Sequence, residues 1–251
     1  MERIDDLMRG GLRLIQDPDR FCFGTDAVLL SDFAKASARE KVLDLCAGNG
    51  VVSLLMLARY PSASYTALEI QPELADLARR SVELNHVEDK VSVIEGDLKE
   101  IRTRIRPGSF DVVTVNPPYM AGQGLQNESE SVRLARHEVA CTLHDVVEAA
   151  AYALKYHGRL YMVHRPERLA EIMTELTLAK LEPKMLRLIQ PFEGKEPTQL
   201  LVMASLGGGK GMRVLPPLIT YRAPGVYTEE MLAVYGDDGH VHNKPEPDRL
   251  S

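Results

Sequence analysis

Apolar residues fall along this chain in two alternating rhythms. Short β-like runs at Lys41–Cys46, Ser64–Ile70, Val91–Glu95, Phe110–Val115 and Gly158–His164 predict strands. Longer stretches with helical spacing lie between them. Val51–Tyr60 predicts a helix that ends before Pro61, and Pro72–Asn85 another, with Leu74, Leu77, Ala78 and Val82 at its apolar positions. Thr142–Lys155 reads as a helix with Thr142 as N-cap and Asp145 three residues on, and Pro166–Leu181 as a further helix. Met185–Gln190 and Gln199–Leu206 form a last strand pair, close enough to lie antiparallel across Glu-Gly-Lys-Glu-Pro. Alternating strands and helices with short links predict an α/β fold, a mostly parallel sheet covered by helices on both faces. The closing antiparallel pair makes that sheet mixed.

This pattern divides the chain into an N-terminal cover (1–40), an α/β core (41–206) and an extension of the same domain (207–251). Residues 1–20 have no clear periodicity, and the last ten, with Pro245 and Pro247, read as a loose tail. Gly207-Gly208-Gly209-Lys210-Gly211 reads as a mobile turn and lacks the spacing of a phosphate loop.

Composition narrows the classes. The chain has 251 residues, 45% hydrophobic and 26% charged, which excludes whole-chain disorder, collagen and coiled coil. Its longest apolar stretches, such as Val51–Ala58, are far shorter than the roughly 20 residues a bilayer span needs. The N-terminus carries no basic segment followed by an apolar one, so a cytoplasmic protein is expected. Cys22, Cys46 and Cys141 form no CxxC pair and no zinc pattern, and read as buried thiols in a reducing compartment. The net charge is −6, yet Lys155–Arg222 holds 11 Lys and Arg against 6 acidic residues. An acidic chain with a locally basic stretch is compatible with a docked nucleic acid or with charges scattered over solvated faces.

The first candidate site is Asp44-Leu45-Cys46-Ala47-Gly48-Asn49-Gly50, a turn between the first core strand and its helix. Gly48 and Gly50 permit positive φ and close approach of a ligand at the carboxyl edge of a parallel sheet. A dinucleotide fingerprint would need glycine at position 53, where Ser53 stands. Asp44 also disfavours a pyrophosphate and suits a cationic amino-acid group. Glu69, near the end of the second strand, can accept both hydroxyls of a ribose, and Asp97, just past the third, the amino group of an adenine. Together these describe a pocket for S-adenosylmethionine.

The second candidate site is Asn116-Pro117-Pro118-Tyr119, ending the fourth strand at the same edge. Two prolines fix two φ angles and supply no N–H. An amino group conjugated to a ring or a carbonyl is a poor nucleophile, because its lone pair is delocalised. Asn116 Oδ1 and the Pro117 carbonyl can accept its two hydrogens and draw the nitrogen toward a tetrahedral shape, with Tyr119 stacked on the ring. Such chemistry needs no metal and rests mostly on positioning.

These motifs resemble the class I methyltransferases that modify amino nitrogens. The resemblance implies a Rossmann-like fold with a seven-stranded sheet and one reversed strand over residues 20–206. The family's first turn glycine is Cys46 here. Phe21-Cys22-Phe23-Gly24-Thr25-Asp26-Ala27-Val28-Leu29-Leu30 resembles the Thr-Asp-Ala segment of bacterial tRNA adenine-N6 methyltransferases that act beside the anticodon of a valine tRNA. Arg133-Leu134-Ala135-Arg136-His137-Glu138 resembles that family's Arg-rich segment, and Leu218-Ile219-Thr220-Tyr221 with Tyr227-Thr228 its C-terminal one. The resemblance implies that Thr25 and Asp26 help close the cofactor pocket and that Arg133, Arg136 and His137 face the RNA. Met120–Ser131 reads as a flexible lid. An unpaired loop base would enter such a pocket at little unstacking cost.

Other functions remain on the page. A glutamine-amide protein methyltransferase shares Asn-Pro-Pro-Tyr, but is expected to carry a helical domain of some 70 or more residues ahead of the first strand, where about 40 stand. DNA adenine methylation would call for a target-recognition domain. A noncatalytic RNA-binding module would not need an intact Asn116-Pro117-Pro118-Tyr119, and Ser53 opposes a nicotinamide oxidoreductase.

Overall fold

The computed structural model describes residues 1–19, 22–118 and 141–236. The chain opens with a hairpin, β1 (Arg3–Asp6) and β2 (Arg13–Gln16), followed by helix α1 (Thr25–Phe33). The α/β alternation then runs β3 (Lys41–Leu45), α2 (Val51–Arg59), β4 (Ser64–Glu69), α3 (Pro72–Leu84), β5 (Val91–Glu95), a short α4 (Ile101–Arg104) and β6 (Phe110–Val115). Further along the chain come α5 (Leu143–Ala153), β7 (Leu154–His164), α6 (Leu169–Leu178), β8 (Leu181–Gln190) and β9 (Gln199–Leu206). Short strands β10 (Arg213–Val214), β11 (Leu218–Ile219), β12 (Tyr221–Ala223) and β13 (Val226–Tyr227) lead to α7 (Glu229–Tyr235).

Seven strands make the central sheet in the order β5-β4-β3-β6-β7-β9-β8, with β10 and β11 added alongside β8. Only β9 runs against its neighbours, pairing antiparallel with both β7 and β8. The fold is the expected one: a Rossmann-like, mostly parallel sheet with one antiparallel strand and helices on both faces. Strand alternation divides the core. Val42 and Val112 join α1 and α2 on one side, whereas Leu43, Leu45, Val113 and Val115 join α5 and α6 on the other. Each fully buried Leu or Val contributes about 1.5–3 kcal/mol of burial, so slipping a strand by one residue would turn its core side chains to the wrong layer.

Local chemistry sets the ends. Thr142 caps α5 in a reciprocal box: its hydroxyl accepts from Asp145 N at 3.2 Å, and its own N–H donates to the Asp145 carboxylate at 2.8 Å. β7 begins at Leu154, four residues before the position its hydrophobic pattern predicts, and takes up the mismatch as a register shift against β6. β8 likewise begins at Leu181. Pro183 lacks a ladder donor, and the strand accommodates it with an irregularity between Pro183 and Met185.

Three elements lack a strong periodic signal and form through tertiary contacts. The β1–β2 hairpin docks on α3, where Ile15 N–H donates to the buried Ser81 hydroxyl at 3.0 Å and Asn85 bonds the Arg13 backbone. Helix α1 packs on α2 and β7, with Phe33 edge-on to Tyr161. The C-terminal strands and α7 close over the β8 side of the sheet. In the basic stretch, Lys155, Arg159, Arg168 and Arg187 are held by Asp111, Glu40, Glu171 and Glu230. Those four charges lie in local ion pairs, which a surface of this kind values at about 1 kcal/mol or less each.

Candidate active site at the carboxyl edge

Parallel neighbours end at one edge, so the order β5-β4-β3-β6 fixes which side chains meet there. Leu45 pairs with Leu68 on one side and Val115 on the other, and Glu69 pairs with Glu95. The glycine turn, Glu69, Asp97 and Asn116 therefore stand side by side, although they come from four separate stretches of chain.

The turn after β3 has three left-handed residues, Cys46 (φ 55°), Gly48 (φ 57°) and Gly50 (φ 81°). At Gly50 the requirement is both conformational and steric, because an added Cβ would lie 3.2 Å from Ala78 Cβ on α3. The turn hangs from β4: Ala47 N–H donates to Leu68 O at 3.1 Å, and Gly48 N–H to Glu69 Oε2 at 2.8 Å. Cys46 is the one side chain held left-handed here, at a cost of about 1–2 kcal/mol relative to glycine.

Cys46 does not stand alone. Its thiol interacts with that of Cys141, and both pack against the α5 layer of the core. That interaction, with burial, pushes the Cys46 thiol well up, and it lowers Cys141. The expectation of three buried thiols needs correction: Cys22 is exposed, and Cys46 and Cys141 are half-buried. Spacing in sequence gave no sign that residues 46 and 141 meet.

Asp44 turns inward. It shares the α2-facing side of β3 with Val42, is 1% exposed, and accepts from Thr114 Oγ1 at 2.9 Å and Ser53 Oγ at 3.0 Å. Burial raises its carboxyl from 3.8 to about 7 despite these two hydroxyls. Its oxygens thus link β3, β6 and α2 behind the turn. Thr114 carries no sequence signal of this role, because a threonine inside a strand is ordinary.

Glu69 and Asp97 stay at the edge. Glu69 is buried, and its carboxylate receives Gly48 N–H and, at 2.9 Å, Gln71 N–H. Asp97 is half-buried, receives Lys99 N–H at 2.8 Å and lies 3.5 Å from the Lys99 ammonium. Asn49, between the two glycines, is completely buried, and among the described residues neither of its amide atoms has a hydrogen-bond partner. Nothing in the sequence set it apart from a linker residue.

Asn116 ends β6 half-buried, followed by buried Pro117 and half-buried Pro118. Its Nδ2 donates to Asp26 Oδ2 at 2.9 Å, and neighbouring Thr25 Oγ1 lies 3.2 Å from Tyr235 OH. Thr25 and Asp26 therefore stand at this edge, on the first turn of α1. On the adjacent strand, His164 is 1% exposed, and burial lowers its imidazole to about 4, so it is neutral at physiological pH. Tyr119, Arg133, Arg136, His137 and the 120–131 segment lie outside the described residues.

The edge is rich in acceptors: Glu69, Asp97, Asn116 Oδ1 and the Pro117 carbonyl. Such a set suits a ligand whose polar groups are mostly donors and whose charge is positive. Among the described residues, no group of three His, Cys, Asp or Glu could hold a metal ion, and no helix is long and apolar enough to cross a membrane.

Comparison with known proteins agrees with this geometry. Residues 18–182 match the family model described as the methyltransferase small domain. A Flavobacteriaceae bacterium protein named tRNA1(Val) (adenine(37)-N6)-methyltransferase is 28% identical, with 88% of this chain and 93% of that one covered. A protein of the same name from Porphyromonas gingivalis is 27% identical over 71% of this chain and 72% of its own. Among solved structures, a predicted O-methyltransferase from Agrobacterium tumefaciens superposes with a TM-score of 0.69 at 25% identity, covering 84% of this chain and 95% of that one. The matched span runs from ahead of α1 to the start of β8, and the chain belongs to the methyltransferase small domain family, with S-adenosylmethionine as its methyl donor.

Proposed function

We propose that this chain methylates the exocyclic N6 of an adenosine in the anticodon loop of a tRNA, a valine tRNA by the names its relatives carry. One observation carries the reading: Asn116-Pro117-Pro118 ends β6 at the edge that also holds the glycine turn, Glu69 and Asp97.

The acceptor set fits S-adenosylmethionine. Its ribose diol would donate to Glu69 and its adenine amine to Asp97. Gly48 and Gly50 leave room for close approach, with Asp44 bracing the turn from behind. When bound, the cofactor supplies an electrophilic methyl on a sulfonium. The chain's own residues prepare the nucleophile. Asn116 Oδ1 and the Pro117 carbonyl accept both N–H hydrogens of the target amine, drawing its lone pair out of conjugation and along the line of attack. Once the nitrogen is alkylated its surplus proton is strongly acidic, so water suffices to take it. Tyr119 is the residue suited to stack on the flipped base, and Arg133, Arg136 and His137 are suited to the RNA backbone. A tRNA substrate supports a cytoplasmic location.

The test is Asn116→Ala with labelled cofactor and tRNA from a strain lacking the gene. Turnover is expected to fall about 10²-fold, as for loss of one preorganised transition-state contact, with cofactor affinity nearly intact. Nucleoside analysis should yield N6-methyladenosine in tRNA. Transfer to a release-factor glutamine, or unchanged turnover, would refute the assignment.

A further inference from the structure

Asn116 can do its work only in one of two orientations. Its terminal amide is nearly symmetric in shape, and the torsion that flips it has two broad wells. In one, Oδ1 faces the target amine and accepts a hydrogen. In the other, Nδ2 faces it, donors oppose donors, and the amine stays flat.

We propose that Asp26 makes this choice, as a positioning residue that holds Asn116 in its productive rotamer. Asp26 Oδ2 accepts from Asn116 Nδ2 at 2.9 Å, across 90 residues of sequence. A carboxylate can only accept here, so the amide must present nitrogen to Asp26 and direct oxygen away from it. The bond is charge-assisted, and it also polarises the amide toward Oδ1, making that oxygen a stronger acceptor.

Asp26 is itself fixed. Its Oδ1 accepts from Ala27 N–H at 2.9 Å in the first turn of α1. Gly24 leaves space for the carboxylate, since a Cβ there would lie 2.8 Å from Asp26 Oδ1. The start of α1 is braced on both sides. Phe23 N–H donates to Gln16 of the N-terminal hairpin at 3.1 Å. Thr25 Oγ1 meets Tyr235 OH, and Tyr235 stacks on Tyr227, which stacks on Tyr221, with ring centroids 5.4 and 5.1 Å apart. The hairpin and the tyrosine column, both remote from the chemistry, thereby set the position of one carboxylate. Rigid support of this kind matters, because a misplacement of about 1 Å can cost about 10²-fold in rate.

The inference rests on Asn116 being the catalytic acceptor, and it differs from a role for Asp26 in holding the cofactor. Both distinctions are testable with Asp26→Ala, Asp26→Asn, Asn116→Ala and the double variant Asp26→Ala/Asn116→Ala. Turnover is measured on unmodified valine tRNA transcript at saturating labelled cofactor, and cofactor affinity by calorimetry. Asp26→Ala should lower kcat about 10- to 100-fold while cofactor Kd moves less than about twofold. Asp26→Asn retains an acceptor for Nδ2 and should recover most of that loss. In the Asn116→Ala background, removing Asp26 should change kcat less than about twofold, because the group it positions is gone. Wild-type turnover in Asp26→Ala, a loss of cofactor affinity matching the loss of rate, or an undiminished loss in the Asn116→Ala background would each overturn the proposal. Full activity of Asn116→Ala would instead show that the catalytic reading beneath it is wrong.

Discussion

Asp44→Asn isolates a single buried charge whose cost can be worked from its surroundings. Asp44 is 1% exposed and accepts from the Ser53 and Thr114 hydroxyls, and burial carries its carboxyl from 3.8 to about 7. A shift of about 3 units at 1.36 kcal/mol each is an upper bound of about 4 kcal/mol. The sign follows from linkage. Between about pH 4 and pH 7 the folded chain keeps a proton that the unfolded chain has lost, so this group's contribution to stability declines as pH rises. Asparagine keeps the shape, can accept from one hydroxyl and donate to the other, and never ionises. The stability difference, variant minus wild type, should be small near pH 4. It should grow by about 1.4 kcal/mol per pH unit and level off above about pH 7. Urea unfolding of both proteins from pH 5 to pH 8 measures it, and every other titrating group cancels in the difference. An equal difference at pH 5 and pH 8 would refute the argument that Asp44 is desolvated and folds protonated.

Gly50→Ala places a Cβ on a backbone with φ 81°, 3.2 Å from Ala78, and should cost about 1–2 kcal/mol, read as a lower unfolding midpoint; an unchanged midpoint contradicts the crowding. Glu69→Gln removes a charged acceptor and should weaken S-adenosylmethionine about tenfold or more by calorimetry, whereas unchanged affinity would reject the ribose assignment. The interaction of the two thiols lowers Cys141 and raises Cys46, so iodoacetamide at pH 7.5 should modify Cys141 before Cys46 in peptide maps. Equal rates would mean that the two thiols do not perturb each other in this way.

Hydrophobic periodicity determined the sheet's five main parallel strands and the antiparallel return across residues 191–198, and residue type three positions apart determined the capping box at Thr142. Those features depend on neighbours within a few residues, and each repeats a local physical preference. The glycine turn and Asn116-Pro117-Pro118 were legible for the same reason, because backbone angles and missing donors are written in residue type. Everything that depends on distant partners was not. Asp44 has the composition of a ligand-binding acid, yet strand parity sends it to the α2 layer, between Ser53 and Thr114. Asp26 meets Asn116 only because α1 packs on β7, the neighbour of β6. Cys46 meets Cys141 only because β3 and the start of α5 share one face. The hairpin at residues 3–16 and the tyrosine column near the C-terminus lack a period of their own and form where the rest of the molecule offers hydrogen bonds and ring faces. Local chemistry chose the elements, and only the closing of the sheet decided which distant side chains would meet.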